Sequence, residues 1–162
     1  MRDRPPIEWA LLPLKKYASF RGRAPRAEYW WFCLLAAVGW FILTQVGRAA
    51  GAGDALAFAF DLAMVLPWLG VTVRRLHDAG RSGRWLLLFV VAWVIITLIG
   101  YALGSMDEPS ESVAVTAGIT IFLIMIFAVF SLLALMVLPG SSGTNRFGPD
   151  PYGPDPLEDV FA

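Results

Sequence analysis

Four long apolar runs constrain this chain more than any other feature. Residues 29–46, 55–73, 85–103 and 113–138 hold almost no charged side chains, and each is close to the ~20 residues that an α-helix needs to cross a ~30 Å hydrocarbon layer. Of the 162 residues, 57% are hydrophobic and 16% are charged, against about 25% charged in ordinary globular chains. The pattern predicts an all-α polytopic membrane protein, a four-transmembrane-helix bundle.

Polar segments lie on both sides of the predicted membrane domain, residues 29–138. Residues 1–28 mix aromatic and basic side chains and hold no run long enough to span a bilayer, so they predict a cytoplasmic or interfacial N-terminal segment. Pro13 is expected to divide that segment into two parts. Residues 139–162 are rich in Gly and Pro and predict a cytoplasmic tail of turns and extended chain, with a disordered acidic end.

The distribution of Arg and Lys predicts the orientation in the membrane. With the N-terminus inside, the inner segments hold seven, four and one of the 13 basic residues, and the outer loops hold only Arg48. The acidic loop, residues 107–111, has three acids and no base. Basic residues concentrate in short cytoplasmic loops, so we expect a multi-pass inner-membrane protein with both termini in the cytoplasm.

The central turn, residues 74–85, separates the second and third runs and contains four arginines. Gly80 is expected to end one helix and Ser82 to cap the next. The arginines have two interpretations. They act as topology signals, or they bind anionic lipid headgroups, since juxtamembrane basic residues gain roughly 1 kcal/mol each from anionic lipid.

The same turn contains a histidine next to an acid, which invites a catalytic interpretation. His77 and Asp78 are sequence neighbours and do not face each other on a helix, and no nucleophile spacing, zinc motif or P-loop accompanies them. We therefore expect no catalytic residue, metal or cofactor, and favour a non-enzymatic protein over a lipid-acting enzyme that uses His77. Ion pairs are expected at this membrane level among Glu28, Asp78, Arg74 and Arg75, and exposed pairs would contribute little.

Asp61 is the one ionisable side chain well inside a predicted span, about 10 Å along the helix from Asp54. Such residues are functional candidates because they are costly in a bilayer. We expect a polar contact with Thr44, Gln45 or Arg48 of the antiparallel first span. The alternative is a small transporter or channel that uses Asp61.

Three motifs resemble the signatures of a known family. They are FRGRAPRAEYW at 20–30, RRLHDAGRSG at 74–83 and GTNRFGPDP at 143–151. In this order they resemble the YhaH-like family of bacterial inner-membrane proteins, a domain of unknown function (805). The resemblance implies a small multi-span inner-membrane protein and supplies no mechanism. Two positions depart from the family pattern: Arg84 stands where an aromatic is frequent, and Phe147 where a tyrosine is usual.

All three motifs fall on the cytoplasmic side of the predicted topology. We therefore expect them to form one inner-face site that binds anionic phospholipid or a cytoplasmic partner. Its expected members are Arg21, Arg23, Arg26, Glu28, Arg74, Arg75, His77, Asp78, Arg81 and Asn145. The formal net charge of zero gives no indication of a nucleic-acid partner. Self-association is expected through the small residues Gly100, Gly104 and Gly118.

Overall fold

The computed structural model describes residues 4–106 and 110–153. Within them the regular structure is helical, apart from one isolated bridge between Asn145 and Gly148. The helices are α1 (Pro6–Lys15), α2 (Arg26–Ala49), α3 (Ala55–Asp78), a 3₁₀ turn (Gly83–Trp85), α4 (Leu86–Gly104) and α5 (Glu111–Val137). The all-α class is confirmed. Most of the acidic loop and the acidic C-terminal end lie outside the described residues.

Four helical segments are long and apolar enough to cross a membrane. They are Arg26–Ala49, Ala55–Asp78, Gly83–Gly104 and Glu111–Val137. The first two extend beyond the apolar runs of the sequence, so the polar residues at the start of α2 and at the end of α3 are helical as well. The helices confirm a polytopic membrane protein.

Residues 4–81 and 139–153 form one compact unit. In it α2 and α3 are an antiparallel pair, and small residues allow them to approach closely. A Cβ at Gly39 would lie 2.8 Å from the ring of Phe60, and one at Gly47 would overlap the carbonyl oxygen of Gly53. Glycine at position 39 therefore allows α2 to approach α3 closely, and glycine at position 47 allows the α2–α3 loop to fold back onto α2.

Helix α1 packs against α2 and includes Pro13, where the sequence predicted an interruption. The prediction was wrong: Pro6–Lys15 is one helix, with Trp9, Ala10 and Pro13 buried. The physical reason is the position of Pro13 within the helix. Pro13 is near the C-terminal end of a ten-residue helix, so its missing N–H removes a single backbone bond, and its ring is buried against the rest of the unit.

A second proline, Pro67, lies inside α3. It cannot donate to the carbonyl of Ala63, four residues earlier. The hydroxyl of Tyr17 donates to that carbonyl at 2.6 Å, so the helix continues through Pro67 with its freed acceptor bonded. The chain after α1 lies close to α3 at this level, since a Cβ at Gly70 would be 3.1 Å from the carbonyl oxygen of Ser19.

Residues 82–138 form the other compact unit. The backbone carbonyl of Ser82 accepts the N–H of Trp85 at 3.2 Å, but the Ser82 side chain makes no capping bond, so that part of the prediction was wrong. Thr97 and Thr120 donate to the carbonyls four residues earlier, at 2.9 and 2.8 Å. Hydroxyls bonded in this way are compatible with an apolar surrounding.

Candidate functional site

The C-terminal end of α3 is closed by a Schellman motif. Gly80 has a φ of +71°. Its N–H donates to the carbonyl of His77 at 3.0 Å, and the N–H of Arg81 donates to the carbonyl of Leu76 at 2.8 Å. A left-handed residue just past the helix is the usual place for glycine. The prediction that Gly80 ends the helix is confirmed.

Two other segments of the chain bond to the last turn of α3. The terminal carbonyls of a helix lack intrahelical partners, and three carbonyls at or near this end accept hydrogen bonds from distant residues. Arg74 O accepts from Ala24 N at 3.0 Å, His77 O from Asn145 Nδ2 at 3.0 Å, and Asp78 O from Ser141 N at 2.8 Å. The three sequence motifs therefore meet at one place, which we call the α3 junction: residues 22–28, 74–80 and 140–147.

Asp78 is the centre of the α3 junction. Arg23 approaches its Oδ1 with Nε and Nη2, each at 2.9 Å, and Arg75 donates from Nη1 to its Oδ2. Arg23 also donates to the carbonyls of Gly143, at 2.6 Å, and Ser141. The three charged side chains are at most 6% exposed. One carboxylate thus joins all three motifs through two buried arginines.

A second buried pair lies beside it. Arg74 Nη2 is 2.9 Å from Glu28 Oε1, and the two side chains are 1% and 2% exposed. Glu28 Oε1 and both Nη atoms of Arg74 nevertheless make no aligned hydrogen bond with the described residues, so charge attraction rather than hydrogen-bond geometry holds this pair. The expected ion pairs are therefore present, but they are buried, and breaking a buried pair is costly.

The ring of His77 makes contacts that hold parts of the chain together. Its Nδ1 is 3.1 Å from the carbonyl oxygen of Gly22, an acceptor, so Nδ1 carries the proton. Its ring stacks on Phe147 with centroids 3.9 Å apart and planes 3° apart. The guanidinium of Arg146 lies over the Phe147 ring at 4.6 Å. These contacts attach the tail to α3.

The structure brings together seven of the ten predicted site residues. These seven are Arg23, Glu28, Arg74, Arg75, His77, Asp78 and Asn145. Arg26 falls within the ranges of the α3 junction but is exposed, and Arg21 and Arg81 lie just outside those ranges and are exposed as well. Among the described residues, no three His, Cys, Asp or Glu side chains are grouped as metal ligands would be.

Asp61 does not make the contact expected of it. Thr44 donates to the carbonyl of Trp40 at 2.8 Å, Arg48 lies 3.5 Å from Asp54, and the side chain of Gln45 is exposed. Asp61 is itself exposed on α3. Within the described part of the chain its carboxylate has no hydrogen bond or ion pair.

A cavity of about 440 Å³ lies beside the α3 junction, in the range of small-molecule sites. Its walls come from α1 and the chain after it, from the start of α2 and from the tail. The lining residues are Arg4, Trp9, Leu12, Lys16, Arg21, Gly22, Arg23, Pro25, Glu28, Pro149, Asp150, Pro151 and Gly153. Sequence reasoning missed Arg4, Trp9 and Lys16. The available signal was the seven-residue spacing of Trp9 and Lys16, which favours one side of a helix.

The tail closes the cavity next to α1. The ring of Tyr152 meets Trp9 edge-on, with centroids 6.4 Å apart. Burial, with the nearby charge of Asp78, raises the pKa of the Tyr152 hydroxyl above its usual 10, so it stays protonated at neutral pH. The contact with Trp9 holds the tail beside α1, and the charged residue that the tail contributes to the cavity wall is Asp150.

The four apolar helices define a polytopic all-α membrane protein. Residues 17–149 match the family described as "Protein of unknown function (DUF805)", and the chain belongs to this family. It is 35% identical to inner membrane protein YhaH of Escherichia coli K12 over 90% of this chain and 97% of that protein. It is 34% identical to inner membrane protein YhaI of the same strain, over 90% and 96%. No solved structure matches significantly.

Proposed function

We propose that the cavity beside α1 binds the headgroup of an anionic phospholipid at the cytoplasmic surface of the inner membrane, in a protein whose two termini are both cytoplasmic. The observation that carries the proposal is the pair of cavity cations, Lys16 and Arg21. Both line the cavity, and neither side chain makes an ion pair or hydrogen bond within residues 4–106 and 110–153, although the charge of Lys16 acts on the nearby Glu28 carboxyl.

The charge of the cavity favours an anion. Its walls include four basic residues, Arg4, Lys16, Arg21 and Arg23, and two acidic ones, Glu28 and Asp150. Guanidinium and ammonium groups bind phosphate oxygens well. Because each basic residue near an anionic surface gains about 1 kcal/mol, the two cavity cations together account for roughly 2 kcal/mol of headgroup binding.

Two of the four arginines of the central turn are less suited to this role. Arg74 and Arg75 are 1% and 0% exposed and face Glu28 and Asp78. Their charge is compensated inside the protein, so a headgroup would have to break a buried pair to reach them. We therefore propose a lipid site at the N-terminal segment rather than at the central turn.

The surroundings of the cavity suit a lipid interface. The first turns of α2 carry Tyr29, Trp30 and Trp31, and aromatic residues of this kind concentrate at the headgroup level. Trp9 and Leu12 give the cavity an apolar side that could accept the glycerol end of a lipid. A phosphate with an attached apolar body fits this combination better than a free anion does.

Native mass spectrometry of the full-length protein, released from nanodiscs of phosphatidylglycerol and phosphatidylethanolamine, tests the proposal. We expect wild type to retain phosphatidylglycerol selectively and Lys16→Ala/Arg21→Ala to lose that selectivity, with roughly fivefold weaker retention per residue removed. The matched control is Lys15→Ala/Arg48→Ala, which removes the same charge from exposed positions outside the cavity lining.

Two results would contradict the proposal of a lipid site. Equal retention in both double variants would show that the cavity does not select lipid and would overturn the proposal. A parallel sample with soluble glycerol phosphate separates the two sources of the anion. Adducts of glycerol phosphate without lipid adducts would replace the membrane lipid by a soluble phosphate ester.

A further inference from the structure

A carboxylate without a partner lies on the membrane-spanning part of α3. Asp61 is exposed, and the described residues provide it with neither a hydrogen bond nor an ion pair. Of the α2 residues expected to contact it, Thr44 and Arg48 bond elsewhere, and Gln45 is exposed. An acid in this position is costly in a bilayer unless something compensates its charge.

Asp61 opens into a groove between α2 and α3. The groove has a volume of about 350 Å³ and is lined by Phe32, Ala36, Asp61, Met64, Val65, Trp68 and Leu69. The α3 residues recur at intervals of three and four and so form one face of the helix. The face is apolar except for the carboxylate, and it contains two aromatic rings, Phe32 and Trp68.

The composition of the groove restricts what can occupy it. An anion would be repelled by Asp61, and a neutral apolar molecule would leave the carboxylate uncompensated. A hard metal cation prefers six or more oxygen ligands, and the groove offers one carboxylate. A cation with an apolar body suits both the carboxylate and the apolar lining of the groove. Its charge contacts Asp61 and an aromatic face, and its body packs against the apolar walls.

We infer that the Asp61 groove binds a hydrophobic cation, such as an organic ammonium or phosphonium ion of small-molecule size. The inference is independent of the headgroup cavity, since the two sites share no lining residue. The partly exposed Trp68 provides the aromatic face, the fully buried Phe32 lies behind the groove, and Asp61 provides the charge.

Equilibrium binding of tetraphenylphosphonium to the purified full-length protein in neutral detergent tests the inference. Its permanent charge keeps the ligand unchanged between samples. We expect saturable binding to wild type, roughly tenfold or more weaker binding to the isosteric Asp61→Asn, and about threefold weaker binding to Trp68→Leu. Asp54→Asn is the matched control, because it removes an exposed carboxylate outside the groove and should bind as wild type does.

Non-saturable uptake that is equal in wild type and Asp61→Asn would be partition into the micelle and would overturn the inference. Equal losses in Asp61→Asn and Asp54→Asn would also overturn it, since net charge alone would then explain the effect. The thermal unfolding of each variant is measured in the same detergent, and Trp68→Leu keeps the test decisive if Asp61→Asn unfolds.

Discussion

The hydroxyl of Tyr17 replaces a backbone donor that α3 lacks. Pro67 has no N–H, and the carbonyl of Ala63 would otherwise have no hydrogen bond inside a predicted span. In a membrane such a carbonyl cannot be satisfied by water. One side chain from the segment after α1 therefore stabilises a membrane helix and attaches that segment to it.

A double-mutant cycle at the residue scale tests this contact. Tyr17→Phe removes the donor and should destabilise the protein by about 1–2 kcal/mol, since a carbonyl inside a predicted span is left unsatisfied. In a Pro67→Ala background residue 67 can donate to Ala63 itself, so Tyr17→Phe should then have almost no effect. The measurement is the free energy of unfolding in mixed micelles, and equal costs of Tyr17→Phe in both backgrounds would contradict the assignment.

At the scale of the elements, α3 carries an ion pair at each end, in opposite environments. At its start Arg48 and Asp54 are 62% and 73% exposed, whereas at its end Arg75 and Asp78 are 0% and 6% exposed. Exposed pairs contribute little because water screens them. A buried arginine left without its acid, in contrast, is an uncompensated charge.

Substituting the two acids by asparagine compares these environments. Asp78→Asn should destabilise the protein by about 3–5 kcal/mol, because both Arg23 and Arg75 lose their acid. Asp54→Asn should cost about 1 kcal/mol or less. Thermal unfolding followed by circular dichroism measures both, and similar shifts in Tm for the two variants would show that the α3 junction does not depend on its charges.

At the scale of the whole molecule, the ends of the described chain meet. The N-terminal segment and the tail both bond to the last turn of α3, through Ala24 and Ser141. In an antiparallel pair of spanning helices, the loop between α2 and α3 is at the opposite end. The proposed topology accordingly has the tail and the N-terminal segment in the cytoplasm and the α2–α3 loop in the periplasm.

Single-cysteine labelling tests that topology. In a Cys33→Ala background, Ala52→Cys lies in the exposed α2–α3 loop and Ser142→Cys in the exposed part of the tail. A membrane-impermeant maleimide should label the first variant in spheroplasts and the second only after lysis. Labelling of Ser142→Cys in intact spheroplasts would reverse the orientation and with it the cytoplasmic location of the proposed lipid site.

The sequence by itself determined the all-α membrane class, the four apolar helices, the helix end at Gly80 and the family. These follow from local information: run length, hydropathy, and the conformational freedom of glycine. The convergence of the motifs was also predictable, because the basic segments share one expected side of the membrane.

Only the tertiary structure decided which charged side chains are available to bind a ligand. From the sequence, Arg23, Arg74 and Arg75 are predicted to bind headgroups. In the structure they are buried against Glu28 and Asp78. Lys16 was not among the predicted site residues, yet together with the predicted Arg21 it lines a cavity. Burial and ion pairing depend on residues more than 40 positions apart in the chain, as in Arg23 and Asp78, which are separated by 55. Local patterns carry no information about such distances, so the role of each charge could be assigned only in three dimensions.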